Sequence, residues 1–364
     1  MNNQDNYAVI LASGTGMRLW PLSTIKKPKQ FHDLLGIGKT FIQLTYERLN
    51  KVIPAENIFI VTIPDYKDYV TEQIPTFQEQ NFIFEPRVMN TAACNLLAAM
   101  TIQQLNPKAK LIISPSDHFV LNEDEFIEKV NLAFENTTEN KLITLGVAPT
   151  RPDVNYSYIQ FIENETPIKK VKSYINKPDI EFAESFIESG DFIWNTGIYI
   201  WSVESILAAF QHYLPSMHET LKDYFDLPIN VQNFKTLQPI YTTLDVTSIN
   251  KGILEQADNV YVIPAKFGWS DIGTWSAIYK KYEYTKEDQD KNENTLLCKY
   301  FSGYNTKNNF IYSTEDKAII IDGLKDYVVI NSEKGLLICP RSNVQHIKTY
   351  VSDLKLQKKG NKYC

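Results

Sequence analysis

Short runs of β-branched and aliphatic residues alternate with longer helical patterns through the first two-thirds of the chain, and this alternation restricts the fold more than any other feature. Strands are expected at Ala8–Leu11, Ile58–Thr62, Phe82–Phe84, Leu111–Ile113 and Leu142–Leu145, with helical patterns such as Thr40–Leu49 and Ala92–Leu105 between them. Strand–helix–strand order implies crossover connections, hence an α/β domain with a largely parallel, doubly wound sheet. Ligands of such sheets collect outside the carboxyl ends of the strands.

Two of those ends carry chemistry. The run Tyr7–Leu11 delivers Ala12-Ser-Gly-Thr-Gly-Met-Arg18, and Lys26, Lys27 and Lys29 follow closely. Gly14 and Gly16 permit positive φ angles and remove Cβ atoms, so successive N–H groups can point inward around an anion. Arg18 offers a planar fork and Lys29 a mobile point charge, a division of labour suited to phosphates. The spacing matches neither a P-loop nor a dinucleotide fingerprint. A phosphate-binding loop of another kind is the reading. Further on, Leu111–His118 sends Asp117 out of a strand end. Mg²⁺ takes one or two carboxylates together with phosphate oxygens; Asp117 reads equally as a turn residue before the Asn122–Glu128 helical pattern. A second isolated acid, Asp271, lies in Lys266–Trp275, where it reads as metal ligand or as cap of the Thr274–Tyr282 pattern.

The chain has 364 residues, room for one large or two unequal domains. A formal charge of −6 argues against a nucleic-acid or anionic-membrane binder, so an anionic ligand must be held by a local basic cluster. The polar start shows no signal peptide, and no apolar run approaches a membrane span. Cys94, Cys298, Cys339 and Cys364 are dispersed, as buried free thiols of a cytoplasmic protein would be. The five histidines show no zinc spacing. The charged stretch Lys286–Asn294 reads as a linker. Beyond it, Phe310–Tyr312, Ala318–Ile321, Tyr327–Ile330 and Leu336–Cys339 recur at short intervals, a pattern suited to a β-solenoid or a β-meander. The expected domains are 1–290 and 291–364, with Leu354–Cys364 frayed.

Glu85-Pro-Arg-Val-Met-Asn-Thr-Ala92, Pro115-Ser-Asp-His118, Asn176-Lys-Pro-Asp179, Trp194-Asn-Thr-Gly197 and Phe267–Gly273 follow the opening loop in a fixed order. From about residue 7 to about 351 the chain resembles the mannose-1-phosphate guanylyltransferases of the sugar nucleotidyltransferase superfamily. The resemblance implies a Rossmann-like nucleotidyltransferase domain with a mixed, mostly parallel sheet, followed by a small left-handed β-helix-like domain in which Leu336–Gln345 falls. It implies GMP transfer from GTP to α-D-mannose 1-phosphate, with Mg²⁺ as cofactor and no covalent intermediate. Leu11, Ala12, Ser13, Gly14, Thr15, Gly16, Met17, Arg18, Lys29 and Ser116 would hold the nucleotide phosphates, and Glu85, Pro86, Asn90 and Thr91 the nucleoside. Asn90 reads equally as the N-cap of the helix that follows it. Asp117 and Asp271 would bind the metal, Lys177 the sugar phosphate, and Tyr158, Asn176, Asn195 and Gly197 the sugar. The resemblance also points to a homodimer. The chain stops before the isomerase module of some longer relatives, so no isomerase activity is expected.

Five positions depart from the family pattern. Met89 stands where a cation is common, with Arg87 nearby; Ser157 replaces a glycine, Asn176 a glutamate, Asn250 an aspartate and Gln256 a lysine. Four of these fall in the sugar half. Two other readings follow, a transferase for a different sugar 1-phosphate and a non-catalytic paralogue that binds a GDP-sugar. The intact Lys29, Asp117 and Asp271 count against the paralogue.

Overall fold

The structure, a computed structural model, describes residues 3–137, 140–285 and 288–364. Lys286 and Glu287 of the expected linker lie outside the described residues. The chain forms two compact units, Met1–Ser13 with Gln43–Trp269, and Gly14–Ile42 with Ser270–Cys364.

The first unit is built on a nine-stranded sheet. Its strands are β1 (Asn6–Leu11), β2 (Ile58–Thr62), β3 (Phe82–Phe84), β4 (Lys110–Pro115), β6 (Leu142–Val147), β7 (Ser157–Phe161), β8 (Lys169–Asn176), β9 (Phe192–Ser202) and β10 (Val260–Ala265), with the short β5 (His118–Val120) outside it. Their order is β3-β2-β1-β4-β9-β6-β10-β8-β7. Followed through the pairings, β8 and β9 run against the other seven, so the sheet is mixed with one dominant direction. All five expected strands are present. β2 is Ile-Phe-Ile-Val-Thr and buried throughout, as a parallel strand covered on both faces must be. The Asn90–Leu105 helix buries Ala92 through Met100 without a break, which makes it a core helix and not an amphipathic surface one. Asn122 caps the Glu123–Glu135 helix through the Glu125 N–H at 3.1 Å.

The chain enters the second unit within β11 (Trp269–Asp271), at Ser270, and runs through the Trp275–Thr285 helix into β12 (Thr295–Leu297), β13 (Tyr300–Tyr304), β14 (Phe310–Ser313), β15 (Ala318–Asp322), β16 (Tyr327–Ser332) and β17 (Gly335–Pro340). Thr295 pairs with Phe310 and Phe310 with Val328, both in parallel, while Tyr300 pairs with Ala318. Parallel steps of 15 to 18 residues make stacked coils, which decides for the solenoid over the meander. β17 closes the stack antiparallel to β16. Two buried amides form a ladder inside the turn: Asn309 Nδ2 donates to Asn294 Oδ1 at 2.9 Å, and the Tyr327 N–H donates to Asn309 Oδ1 at 2.9 Å. Leu354–Cys364 is not frayed. The Trp20 indole donates to the Tyr363 carbonyl at 2.7 Å and Cys364 is buried, so polar anchoring overrides the basic composition. Cys94 and Cys339 are buried free thiols as well, and Cys298 is half-buried. Among the described residues no helix is long and apolar enough to cross a membrane.

Candidate active site

The loop that follows β1 passes into the second unit at Gly14. Gly16 adopts φ 57°, and a Cβ there would stand 2.7 Å from Ser23 Oγ and 2.9 Å from Lys29 Cγ. Both the backbone conformation and the tight approach require glycine. Gly14 differs from expectation: it has no positive φ, and a Cβ on it would meet open space. The loop is braced from within. Ser23 Oγ donates to the Thr15 carbonyl at 3.1 Å, and the buried Gln30 amide donates to the Gly14 carbonyl at 3.1 Å. Met17, Arg18 and Leu19 form a single 3₁₀ turn beginning at Gly16, with Arg18 half-buried.

Lys29 is 7 % exposed, and its ammonium donates to Asp271 Oδ1 at 3.2 Å and to the Ile272 carbonyl at 3.4 Å. A cation that deep requires an acceptor and a counter-charge, and a residue 242 positions away supplies them. Gly273 leaves room for that carboxylate, since a Cβ there would lie 2.9 Å from Asp271 Oδ1. The sequence singled out both Lys29 and Asp271; their pairing was not visible in it.

Within the first unit, sheet register gathers several strand ends. Leu11 pairs with Pro115 on one side and Val61 on the other, while Thr62 pairs with Phe84. The Ala12 N–H donates to the Val61 carbonyl at 2.8 Å and the Ser116 N–H to the Leu11 carbonyl at 3.1 Å. Ala12, Ser13 and Ser116 are all buried at this end. Asp117 follows with its side chain 24 % exposed, 3.9 Å from His118 Nε2. Gly197 (φ 74°) lies beside Pro115 and His118.

Glu85 leaves β3 into the interior, where the Tyr241 hydroxyl donates to its Oε2 at 2.9 Å. Burial pushes its carboxyl up to about 6, against the stabilising donors Ser13, Tyr241 and the Met89 backbone. Burial and Glu85 together hold the Tyr241 phenol far above its ordinary value. Pro86 is half-buried, whereas Met89, where the family commonly has a cation, is core, and Arg87 is exposed. Asn90 does not cap the next helix: it sits at φ 68° inside the helix boundary, Met89 holds the cap position, and Asn90 Oδ1 accepts only from the adjoining Thr91 N–H. Thr91 Oγ1 accepts from the Ile249 N–H at 2.9 Å.

On the sugar side, Tyr158 is fully buried, its hydroxyl accepting from the Asp153 N–H at 3.0 Å and its ring against Phe186 and Trp194. Its side chain therefore packs into the core of the first unit. Asn195 is 7 % exposed and committed on every side: Nδ2 donates to the Tyr174 hydroxyl at 2.6 Å and the Tyr199 hydroxyl at 3.1 Å, and Oδ1 accepts from Thr144 Oγ1 at 2.7 Å. Asn176 Oδ1 accepts from Ser157 Oγ at 2.9 Å, so two positions that depart from the family pattern bond to each other. Lys177 is exposed at φ 51°, a left-handed conformation rare for lysine and frequent at functional turns. Sequence reasoning missed Ser23, Gln30, Thr144, Tyr174, Tyr199 and Tyr241; only Gln30, inside Pro28-Lys29-Gln30, stood next to a visible signal.

The acidic groups suit a hard cation. Asp117, in the first unit, and Asp271, in the second, each have a partly open carboxylate, the hard-oxygen chemistry that a divalent cation such as Mg²⁺ takes. Among the described residues no three His, Cys, Asp or Glu cluster as a metal cage.

A braced glycine loop with a buried lysine–aspartate pair, and a Rossmann-like sheet with small residues at its strand ends, define a nucleotide-handling transferase. The profile described as Nucleotidyl transferase matches residues 7–288, and that described as MannoseP isomerase/GMP-like beta-helix domain matches 303–354. The chain belongs to the nucleotidyl transferase family, whose members generally use a divalent metal. It is 31 % identical over 366 residues to a putative mannose-1-phosphate guanylyltransferase of Vibrio cholerae serotype O1, covering 97 % of this chain and 75 % of that one. It is 28 % identical over 359 residues to the mannose-1-phosphate guanylyltransferase of Escherichia coli K12, covering 96 % and 73 %. A crystal structure from Thermus thermophilus, described as mannose-1-phosphate geranyltransferase, superposes with a TM-score of 0.82 at 27 % identity, covering 96 % and 99 %.

Proposed function

We propose that this chain is a mannose-1-phosphate guanylyltransferase, making GDP-mannose and pyrophosphate from GTP and α-D-mannose 1-phosphate. The observation that carries the reading is the Lys29–Asp271 pair beside the Gly14–Arg18 loop: a buried cation held ready for anionic ligand, in a chain whose relatives bear that name. A phosphate oxygen of the sugar 1-phosphate attacks the α-phosphorus of GTP, the bond to the β-phosphate oxygen breaks in line, and pyrophosphate leaves. Two polyanions must be brought together, so positioning and charge neutralisation are most of the work and no protein nucleophile is needed.

In this reading the backbone of Leu11–Met17 and Ser116 holds the triphosphate, while Arg18 and Lys29 stabilise the leaving charge. Glu85, Pro86, Asn90 and Thr91 shape the nucleoside end, Lys177 takes the sugar phosphate, and Asn176 and Gly197 border the sugar. Asp117 and Asp271 hold Mg²⁺, which when bound neutralises phosphate charge. Residues 1–290 form the catalytic domain and 291–364 the β-helix domain, of a cytoplasmic homodimer.

Purified chain with Mg²⁺ is tested for pyrophosphate release across GTP, UTP, dTTP and ATP and a panel of sugar 1-phosphates. Preference for GTP with mannose 1-phosphate is expected. Equal rates with UTP or dTTP defeat the guanine assignment, and preference for another sugar, the reading that the Ser157–Asn176 bond favours, defeats mannose. Gel filtration reads the dimer separately.

A further inference from the structure

Asn195 is the hub of a neutral hydrogen-bond network that spans four strands. From it the bonds lead to Thr144 on β6, Tyr174 on β8 and Tyr199 on β9. Tyr199 passes the chain on, its hydroxyl donating to Asn250 Oδ1 at 2.6 Å. Ser157 on β7 faces the Tyr174 phenol and donates to Asn176, whose amide in turn meets Glu255. Asn250 thus fixes the far end of the network, and it does so from an unusual position: it opens a π-helical turn, Asn250–Leu254, of the kind that recurs at functional sites.

The residues just before Asn250 are bound to the other half of the same unit. The Ile249 N–H donates to Thr91 Oγ1, the Ala92 N–H donates to the Thr247 carbonyl at 3.1 Å, and Tyr241 holds Glu85. One stretch of chain, 241–250, therefore grips the Glu85–Ala92 segment through Tyr241, Thr247 and Ile249, and the Asn195 network through Asn250. Resting on the proposed function, we infer that Asn250 is a positioning residue that sets the sugar-binding face of β8 and β9 in register with the nucleoside loop, acting through Tyr199 and Asn195. It need not touch a substrate. Without its acceptor the Tyr199 hydroxyl turns, Asn195 loses one of its three constraints, and the sugar face loosens while the loop that holds nucleotide phosphates is untouched.

The test is steady-state kinetics on four variants of the full chain: Asn250→Ala, Asn250→Asp, Tyr199→Phe and the double Tyr199→Phe/Asn250→Ala. Loss of one buried hydrogen bond predicts about a tenfold rise in KM for the sugar 1-phosphate in Asn250→Ala and in Tyr199→Phe, with KM for GTP unchanged within about twofold. Asn250→Asp keeps an acceptor for the Tyr199 hydroxyl and should restore the sugar KM. The double variant should be no worse than Tyr199→Phe alone, because the phenylalanine has already removed the bond to Asn250 along with the one from Asn195. A sugar KM that stays at the wild-type value in Asn250→Ala overturns the inference, as does an equal rise in both KM values, which marks general loosening. Should Asn250→Ala fail to fold, Tyr199→Phe, which removes only the hydroxyl, decides the matter on the same criteria. A wild-type chain inert with every sugar 1-phosphate overturns the proposed function and this inference with it; an active wild type with unmoved variants overturns this inference alone.

Discussion

The glycine loop, for which phosphate binding is proposed, and the Asn195 network are built from opposite materials. Gly14–Phe31 with Asp271 is built from backbone shape and fixed charge: a left-handed glycine, a half-buried arginine and a lysine clamped to a carboxylate. The network contains no charge at its centre; amides, phenols and hydroxyls fill one another's bonding capacity across β6 to β9. Charges act at a distance and tolerate movement of their target, as phosphate neutralisation demands. Neutral hydrogen bonds die off within a few tenths of an ångström, so they suit a task in which one hydroxyl pattern must be told from another. Loop substitutions should therefore strike turnover and GTP, and network substitutions the sugar.

The sharpest break of that comparison is Asp271→Asn. It keeps the shape beside Gly273 but removes the counter-charge of Lys29 and one proposed metal ligand, so turnover is expected to fall about a hundredfold or more. The melting temperature should fall as well, because the buried Lys29 ammonium loses its counter-charge, so turnover is read well below it. Initial-rate assays over a Mg²⁺ series check it; near-normal turnover would take Asp271 out of the machinery. Next in size is Gly16→Ala. The φ of 57° and the 2.7 Å approach to Ser23 Oγ cannot both survive a methyl group. Strain of about 1–3 kcal/mol in the loop corresponds to about a ten- to hundredfold rise in KM for GTP, with the sugar KM unchanged. Competition kinetics against both substrates reads the asymmetry.

That asymmetry also explains what could be read from sequence. The loop was legible because its parts are contiguous and chemically loud, with glycine, arginine and Pro-Lys-Gln inside one short stretch. The main strands and core helices were legible because burial on all sides writes an unbroken apolar run between polar stretches, as in Ile58–Thr62. The coils of the second unit were half-legible: β14 to β17 carry apolar runs, while β12 and β13 hide in Thr295-Leu-Leu and Tyr300-Phe-Ser-Gly-Tyr, where polar residues and glycine break the pattern. The network was closed to sequence reasoning. Thr144 and Asn195 meet only because β6 and β9 pair antiparallel, with Gly146 opposite Asn195. Tyr158 was opaque for the same reason, since its place in sequence says nothing about which face of β7 its side chain takes.

On the network side of the comparison the matching variant is Thr144→Val, which keeps volume but removes the donor to Asn195 Oδ1. A buried acceptor left without its partner costs about 1–3 kcal/mol, expected here as about a tenfold rise in KM for the sugar 1-phosphate. KM for GTP should not follow. Parallel titration of the two substrates checks this, and a larger effect on GTP would dissolve the division of labour between the two regions.

The smallest effect belongs to Glu85, which lies in neither region and tests whether burial alone explains a charge. Its carboxyl is raised from 4.5 to about 6 in the folded chain, chiefly by burial, which corresponds to about 2 kcal/mol of penalty on the ionised form. A raised native value means the folded state binds the proton more tightly than the unfolded one between these pH values. The group's favourable contribution is thus complete below pH about 4.5 and lost as pH climbs through about 6, and at pH 7 the full penalty applies. Glu85→Gln keeps an acceptor for the Tyr241 hydroxyl while deleting the titration. Chemical denaturation at a series of pH values from about 4.5 to about 7.5 should show the variant gaining stability over the wild type as pH rises, by up to about 2 kcal/mol at the alkaline end. A constant difference across the series would mean that Tyr241, Ser13 and the Met89 N–H hold the ionised carboxylate well enough to cancel its desolvation. Glu85 would then share the loop's charged chemistry instead of standing as the buried anchor of the nucleoside segment.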